Sequence, residues 1–302
     1  MFSSPQPRIG QPLAHGRLTV FPLYTDHPTP SPYRLAREAL ADGTVVVEEA
    51  TQSGNVPTLV VENKGPQAVL FLEGEELRGA KQNRVLNTTV LVAPMTRMSL
   101  PVSCVEQGRW RYTSTHFTSS DSHSSSKLRS VLKASVTDSA LSGRGHGSDQ
   151  SGVWTEVSRQ MSSHGASSAT MAMADTYASK QDTVADHITH LGYPAGASGL
   201  AVAVGGQVVL VDLFDSPNTC QAAWPRLLSG AVMDALEAPE AAPPAVAAVR
   251  DAVAGFRAQG WKAVPAAGQG EEYRGGPGDR WHGSVLAQGG SVIHASLVRA
   301  DG

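Results

Sequence analysis

Short apolar runs, broken at close intervals by Gly, Pro, Asn and Asp, set the pattern of the first third of the chain. Leu18-Thr-Val-Phe-Pro-Leu-Tyr24 reads as a strand stopped by Asp26, Pro28 and Pro30. Further strand-like segments lie at Val45 to Glu49, Thr58 to Asn63, Ala68 to Leu72, Val85 to Val92 and Val102 to Val105. Gly54-Asn55, Gly65-Pro66, Gly79 and Pro94 punctuate them. Pro32 to Leu40 predicts a helix that exits at Asp42-Gly43. Turns this closely spaced predict antiparallel sheet rather than βαβ units.

The C-terminal part repeats the β signal more clearly. Gly199-Leu-Ala-Val-Ala-Val and Gln207 to Phe214 flank Gly205-Gly206, and Trp281 to Leu286 and Val292 to Val298 flank Gly289-Gly290. A Gly-Gly pair supplies the positive φ angles of a two-residue turn, so both stretches predict β-hairpins. Ser216-Pro-Asn-Thr caps a helix running to about Glu237, with Trp224, Leu227, Leu228, Val232 and Leu236 on one stripe. Ala238 to Pro244 links it to a helix around Val246 to Gln259, and Gln181 to Leu191 predicts another, ended by Gly192 and Pro194.

From Thr113 to Ser168 the composition turns to Ser, Thr, Gly and His. This stretch reads as a partly mobile insert over 113–170, with two weakly packed helices at Lys127 to Val136 and Val153 to Met161. A mobile Ser142 to Ser151 connection joins them. The expected architecture is α+β: an antiparallel β-rich core with flanking helices, forming one integrated domain over 17–300 behind an N-terminal tail, 1–16.

The charge balance narrows the partners. A net charge of −3 with no basic stripe argues against a nucleic-acid binder. No apolar stretch reaches the roughly 18 residues of a membrane span. Met1 to Gln11 has no basic region followed by an apolar one, so no secretory signal is expected. Cys104 and Cys220 form neither a CxxC pair nor a zinc ligand set, which suggests a reducing, cytoplasmic setting.

Candidate chemistry concentrates in Glu73-Gly-Glu-Glu-Leu-Arg-Gly-Ala-Lys-Gln-Asn-Arg84, then Asn87-Thr-Thr89 and Ser103-Cys-Val-Glu-Gln-Gly-Arg-Trp-Arg-Tyr112. Polar groups beside buried strands must be paired or must bind something. Glu73, Glu75, Glu76 and Glu106 are the acid/base candidates. Arg78, Lys81, Arg84 and Arg109 are the anion-holding candidates, with Gln82, Asn83 and Asn87 as orienting amides. Cys104 joins the ligand-contact set, although a thiol beside the carboxylate of Glu106 is poorly activated and reads more readily as a small buried apolar residue. The competing reading is an internal ion network in which Glu75 and Glu106 pair with Arg84 and Arg109.

Cofactor motifs are lacking. Gly192-Tyr-Pro-Ala-Gly-Ala-Ser-Gly precedes a strand instead of following one, and no GxxxxGK[ST] occurs, so the cofactor is left unassigned. No metal ligand is assigned either. Asp182, Asp186, His187 and His190 share one predicted helix, with Asp182, Asp186 and His190 on one face, which suits either a transition metal or a solvated surface.

The run from Leu72 through Arg84 to Val92, with Pro101-Val-Ser-Cys-Val-Glu-Gln-Gly-Arg-Trp110, resembles the ADP-ribosylglycohydrolase and rhodanese/phosphatase-associated protein domain family. Leu18-Thr-Val-Phe-Pro-Leu, Val153-Trp154 and Val211-Asp-Leu-Phe-Asp add to the likeness, which extends over roughly Arg17 to Leu297. The resemblance implies genomic company with enzymes that process NAD-derived and ADP-ribosyl compounds. It therefore points to a domain that binds or processes a small anionic, NAD-derived, ADP-ribose-like nucleotide. The alternative is a non-catalytic binding or assembly module whose motif is structural.

Overall fold

The computed structural model describes Phe2 and residues 6–25, 32–257, 260–276 and 280–300. The first third holds β1 (Arg8–Ile9), β2 (Leu13–His15), β3 (Leu18–Tyr24), β4 (Tyr33–Leu35), α1 (Ala36–Ala41), β5 (Val45–Glu49), β6 (Thr58–Asn63), β7 (Ala68–Phe71), β8 (Glu75–Gly79), β9 (Arg84–Leu86), β10 (Val90–Val92) and β11 (Thr96–Cys104). The middle holds β12 (Phe117–His123), α2 (Ser126–Leu141), α3 (Gln150–Ser163), α4 (Met173–Ala178) and α5 (Gln181–His190). The remainder is β13 (Gly199–Val204), β14 (Gln207–Phe214), α6 (Pro217–Glu237), α7 (Val246–Ala254), β15 (Lys262–Val264), β16 (Glu271–Gly275), β17 (Trp281–Gln288) and β18 (Ser291–Arg299).

These strands form three sheets. The largest runs β1-β3-β13-β14-β18-β17-β16-β15, with β2 on the same edge of β3 as β1. The second is β10-β7-β4 and the third β12-β8-β9-β11-β6-β5. Among the described residues every strand pairing is antiparallel except β4 with β7. Strands from both ends of the chain thus share one sheet, making a single α+β domain.

Both Gly-Gly pairs turn hairpins as expected. Gly205 and Gly206 sit at φ +54° and +79°, and Gly289 and Gly290 at +58° and +81°, the left-handed region that L residues avoid. The Ser216 side chain accepts from the Asn218 amide at 3.2 Å and caps α6, whose Trp224, Leu227, Leu228 and Val232 pack against Leu200, Val202 and Phe214. On the opposite face of the sheet, Val249 and Val253 of α7 cover Val211, Leu213, Ala295 and Leu297. A third apolar cluster joins Val45, Val61, Phe71, Leu86 and Val90 between the two smaller sheets.

Several elements differ from the sequence expectation. Val85 to Val92 is two strands in different sheets, because Asn87, Thr88 and Thr89 each find polar partners at the bend. Glu75–Gly79 and the hydroxyl-rich Phe117–His123 are strands despite their polarity, since each is paired to a neighbour. Tyr33–Leu35 is a strand before a shorter helix. The connection after α2 is tied down: His146 Nε2 lies 2.9 Å from Glu272 and the Asn87 amide donates to His146 O. Within the stretch read as a tail, β1 and β2 pair with β3. The expected stop at Asp26, Pro28 and Pro30 lies outside the described residues, as does the end of the helix expected to reach Gln259. No helix among the described residues is long and apolar enough to cross a membrane.

Candidate functional site

Register creates the first cluster. Asp212 of β14 is opposite Ser296 of β18, which is opposite Ser284 of β17, which is opposite Arg274 of β16. Two residues along, on the same face, His294 stands between Phe214 and Leu286, and Leu286 is paired with Glu272. A polar row thus crosses an otherwise apolar sheet. Helix α2 covers it with Arg129 and Lys133, one turn apart on one face.

Arg129 donates to both oxygens of Asp212 at 2.8 Å, to Glu73 Oε1 at 3.0 Å and to Ser296 Oγ at 2.8 Å. Lys133 Nζ bonds Glu73 Oε1 and donates to Ser284 Oγ at 2.7 Å, while Ser284 donates to Glu73 Oε2 at 2.8 Å. His294 bridges Asp212 and Thr89 at 3.2 and 2.8 Å. All of these side chains are buried. Burial alone would raise the two carboxyls, but the surrounding cations prevail: Lys133 then Arg129 hold Glu73 far below the carboxylate range, and Arg129 does the same for Asp212. Burial pushes the Lys133 ammonium down to about 8, with Glu73 opposing the shift. A cavity of about 10 Å³ beside Glu73, Asn87, Arg129 and Lys133 has room for roughly one water. The cluster is an ion network, with no space for a substrate.

The second cluster gathers much of the motif. Arg109 grips Glu106 through Nε to Oε1 at 2.8 Å and Nη2 to Oε2 at 2.6 Å, and donates to Ala80 O and Asn83 Oδ1. Glu106 also accepts from the Asn83 amide and from Thr170 Oγ1. Burial raises the Glu106 carboxyl, but these donors, Arg109 foremost, bring it below the usual value. Gln82 links Glu106 O to Arg84 Nη1. Arg84 is fully buried, with Glu49 Oε1 3.9 Å away, so Glu49 and not Glu75 is its carboxylate neighbour. Glu75 instead pairs with Arg226 of α6 at 2.7 Å. The Lys81 ammonium rests over the rings of Trp110 and Tyr112. Burial pushes the Cys104 thiol up, and Arg84, opposite it in the sheet, only partly offsets this. Cys104 therefore sits as a neutral thiol.

Glu76 stands apart. Neither of its carboxyl oxygens meets a donor at hydrogen-bonding geometry. Burial raises it to about 7, and the nearby Ser120 hydroxyl and Arg78 charge offset only part of that. Asn87 is committed elsewhere, donating to His146 O at 2.9 Å and accepting from Ser103 Oγ at 2.5 Å. Arg78 is exposed, and its charge acts on the buried Glu76 carboxyl. It lines a cleft of about 440 Å³ with Ser120 and Ser122 of β12 and the apolar Ala174, Val184 and Ile188 of α4 and α5. Asp121 on the rim pairs with Arg37.

The motif's candidates thus divide. Lys81, Gln82, Asn83, Arg84, Cys104, Glu106 and Arg109 come together, whereas Glu73, Glu75 and Glu76 each lie in separate surroundings. Reasoning from sequence missed Arg129, Lys133, Asp212, Glu272, Arg274 and Arg226. The spacing of Arg129 and Lys133 on a helix, and an aspartate inside the apolar Val208–Phe214 run, were the available signals. His15 is also brought to Asp186 and His187, while Asp182 is not part of that group.

Residues 6–298 match the ARG and Rhodanese-Phosphatase-superfamily-associated Protein domain. The chain belongs to that family. The likeness to ADP-ribosylglycohydrolases goes no further than the association in the family's name. No curated protein and no solved structure matches the chain.

Proposed function

We propose that the chain is a binding module that takes a small anionic, nucleotide-sized ligand into the cleft between β12 and helices α4 and α5. Arg78 is its contact for the anion. The observation that carries this reading is the cleft itself: the exposed Arg78, whose charge also acts on the buried Glu76, with serine hydroxyls on one wall, aliphatic side chains on the other, and Asp121 on the rim taken up by Arg37. Its volume falls in the range of small-molecule sites, roughly 300–1,000 Å³. The family's association by name with ARG and rhodanese-phosphatase proteins is compatible with an NAD-derived, ADP-ribose-like ligand.

Binding is favoured over turnover because three of the motif's four acid/base candidates are already engaged, Glu76 being the exception. Glu73, Glu75 and Glu106 are each ion-paired, and the cations beside Glu73 and Glu106 outweigh burial to hold those two carboxyls below their ordinary values. In this reading the network fixes β8 against β9 and β12, and so sets where Arg78 stands.

Calorimetric titration with ADP-ribose, NAD and inorganic phosphate tests it. Arg78→Ala should weaken binding by about 1.5–3 kcal/mol, roughly ten- to a hundred-fold, the value of one charge-assisted contact. Lys81→Ala should leave affinity unchanged, since its ammonium lies over Trp110 and Tyr112 and does not line the cleft. An absence of heat with all three compounds at millimolar concentration, or equal affinity in Arg78→Ala, would overturn the proposal.

A further inference from the structure

Two distant parts of the chain bring imidazoles and a carboxylate to one point on the surface. His15 ends β2, and Asp186, His187 and His190 belong to the last two turns of α5. One ligand atom from each of His15, Asp186 and His187 lies within 4.8 Å of the other two. His15 Nε2 is 2.8 Å from Asp186 Oδ2.

The hydrogen bonds around this group orient it for coordination. His187 Nδ1 donates to Thr183 O at 2.9 Å, which fixes the tautomer and leaves Nε2 with its lone pair. His190 Nδ1 donates to Asp186 O at 2.9 Å, so its Nε2 is likewise the acceptor nitrogen when the ring is neutral. Donation of the second ring N–H to a backbone carbonyl is the usual support of a metal-binding histidine. The His190 ring stacks on His15 with centroids 4.1 Å apart, and His187 meets His15 edge-on at 4.6 Å. Gly16 keeps the approach to His187 open: at φ +57° it follows His15 directly, and a Cβ there would lie 3.2 Å from His187 Nε2.

We propose that His15, Asp186 and His187 form a site for a divalent transition-metal ion, with His190 beside it. Imidazole nitrogens with a single carboxylate suit Zn²⁺ and its neighbours better than Ca²⁺ or Mg²⁺, which prefer all-oxygen shells. The ion replaces the proton shared between His15 Nε2 and Asp186, with the ring proton moving to Nδ1. Zinc–ligand bonds of about 2.0–2.1 Å set tetrahedral donors roughly 3.3 Å apart, so His15 Nε2 and Asp186 Oδ2, now 2.8 Å apart, open slightly while the His187 donor closes from within 4.8 Å. Asp186 is half exposed, so a coordination position remains open to solvent. The ion would join the β2–β3 edge to α5 across 171 residues of sequence.

The test uses the full chain after chelator treatment and dialysis. Titration with Zn²⁺, and with Co²⁺ read by its visible absorption, should give one ion per chain and a melting temperature higher by several degrees. His15→Ala and His187→Ala should each weaken binding at least tenfold, and His190→Ala should weaken it less. His187 is buried, so circular dichroism must show its variant folded; His15→Ala, on the half-exposed hairpin edge, carries the test if it is not. The proposal is overturned if neither ion binds at micromolar concentration, or if the His15 variant binds as well as the wild type.

Discussion

Replacing Arg129 by Ala should destabilise the chain more than any surface substitution. In the native cluster two anions, Glu73 and Asp212, face two cations, Arg129 and Lys133, all buried. The substitution removes Arg129's two donations to Asp212, leaving His294 as its remaining partner, and one donation to Glu73, and leaves an excess negative charge away from water. Breaking a buried pair on one side in this way costs about 3–5 kcal/mol. For a chain of 302 residues, whose unfolding entropy is roughly 0.6 kcal/mol/K, that is a fall of about 5–8 °C in melting temperature. Arg129→Lys, which keeps the charge but not the two-pronged contact, should lose less. Arg97→Ala, which breaks an exposed pair with Glu48, is the control and should cost under about 1 kcal/mol. The assay is thermal and urea unfolding at pH 7, repeated toward pH 4. The sign of the pH effect follows from linkage. Carboxyls depressed in the folded state stabilise it above their unfolded values, and that contribution disappears as pH falls through the folded ones. Without Arg129 the two carboxyls protonate more readily, so the gap between variant and wild type should shrink on acidification. A loss no greater than in Arg97→Ala, or one that is the same at pH 7 and pH 4, would refute the account of this cluster.

Glu76→Gln tests the one unpaired acid of the motif. With its folded value raised to about 7, the native protein holds a proton that the unfolded chain releases, so stability declines as pH rises from about 4.5 to 7. Glu76→Gln should remove that slope and be about 3 kcal/mol more stable than wild type at pH 8, with little difference at pH 4.5, as denaturant titrations at the two pH values would show. Glu75→Ala should cost about 3–5 kcal/mol by stranding Arg226, and a melting temperature unchanged from wild type would count against that pairing. Cys104 should resist thiol reagents in the native state and react once unfolded; fast native labelling assigned to Cys104 by peptide mapping would contradict its burial and raised thiol value.

What the sequence carries by itself is local. The Gly-Gly turns, the Ser216 cap and the Trp224 stripe name their elements because φ preference, capping and a 3.6-residue period act over a few residues. The α+β class follows from short strands separated by turns. The charged motif, too, stands out as a place where polarity meets a core. Its division does not. Glu75 meets Arg226, Arg84 meets Glu49, and Glu73 meets Arg129 and Lys133, from elements separated by up to about 150 residues of chain. Those pairings depend on strand register, in which a shift of one residue turns every side chain to the opposite face. The Asp212–Ser296–Ser284–Arg274 row exists only because β14, β18, β17 and β16 align as they do. The Ser-rich middle shows the same limit: its composition does not show that Arg129 and Lys133 of α2 meet Asp212 and Ser284, partners that lie far away in sequence. Short-range preferences are written into neighbouring residues. Which charge neutralises which, and which cation stands exposed at the surface, is decided by long-range packing.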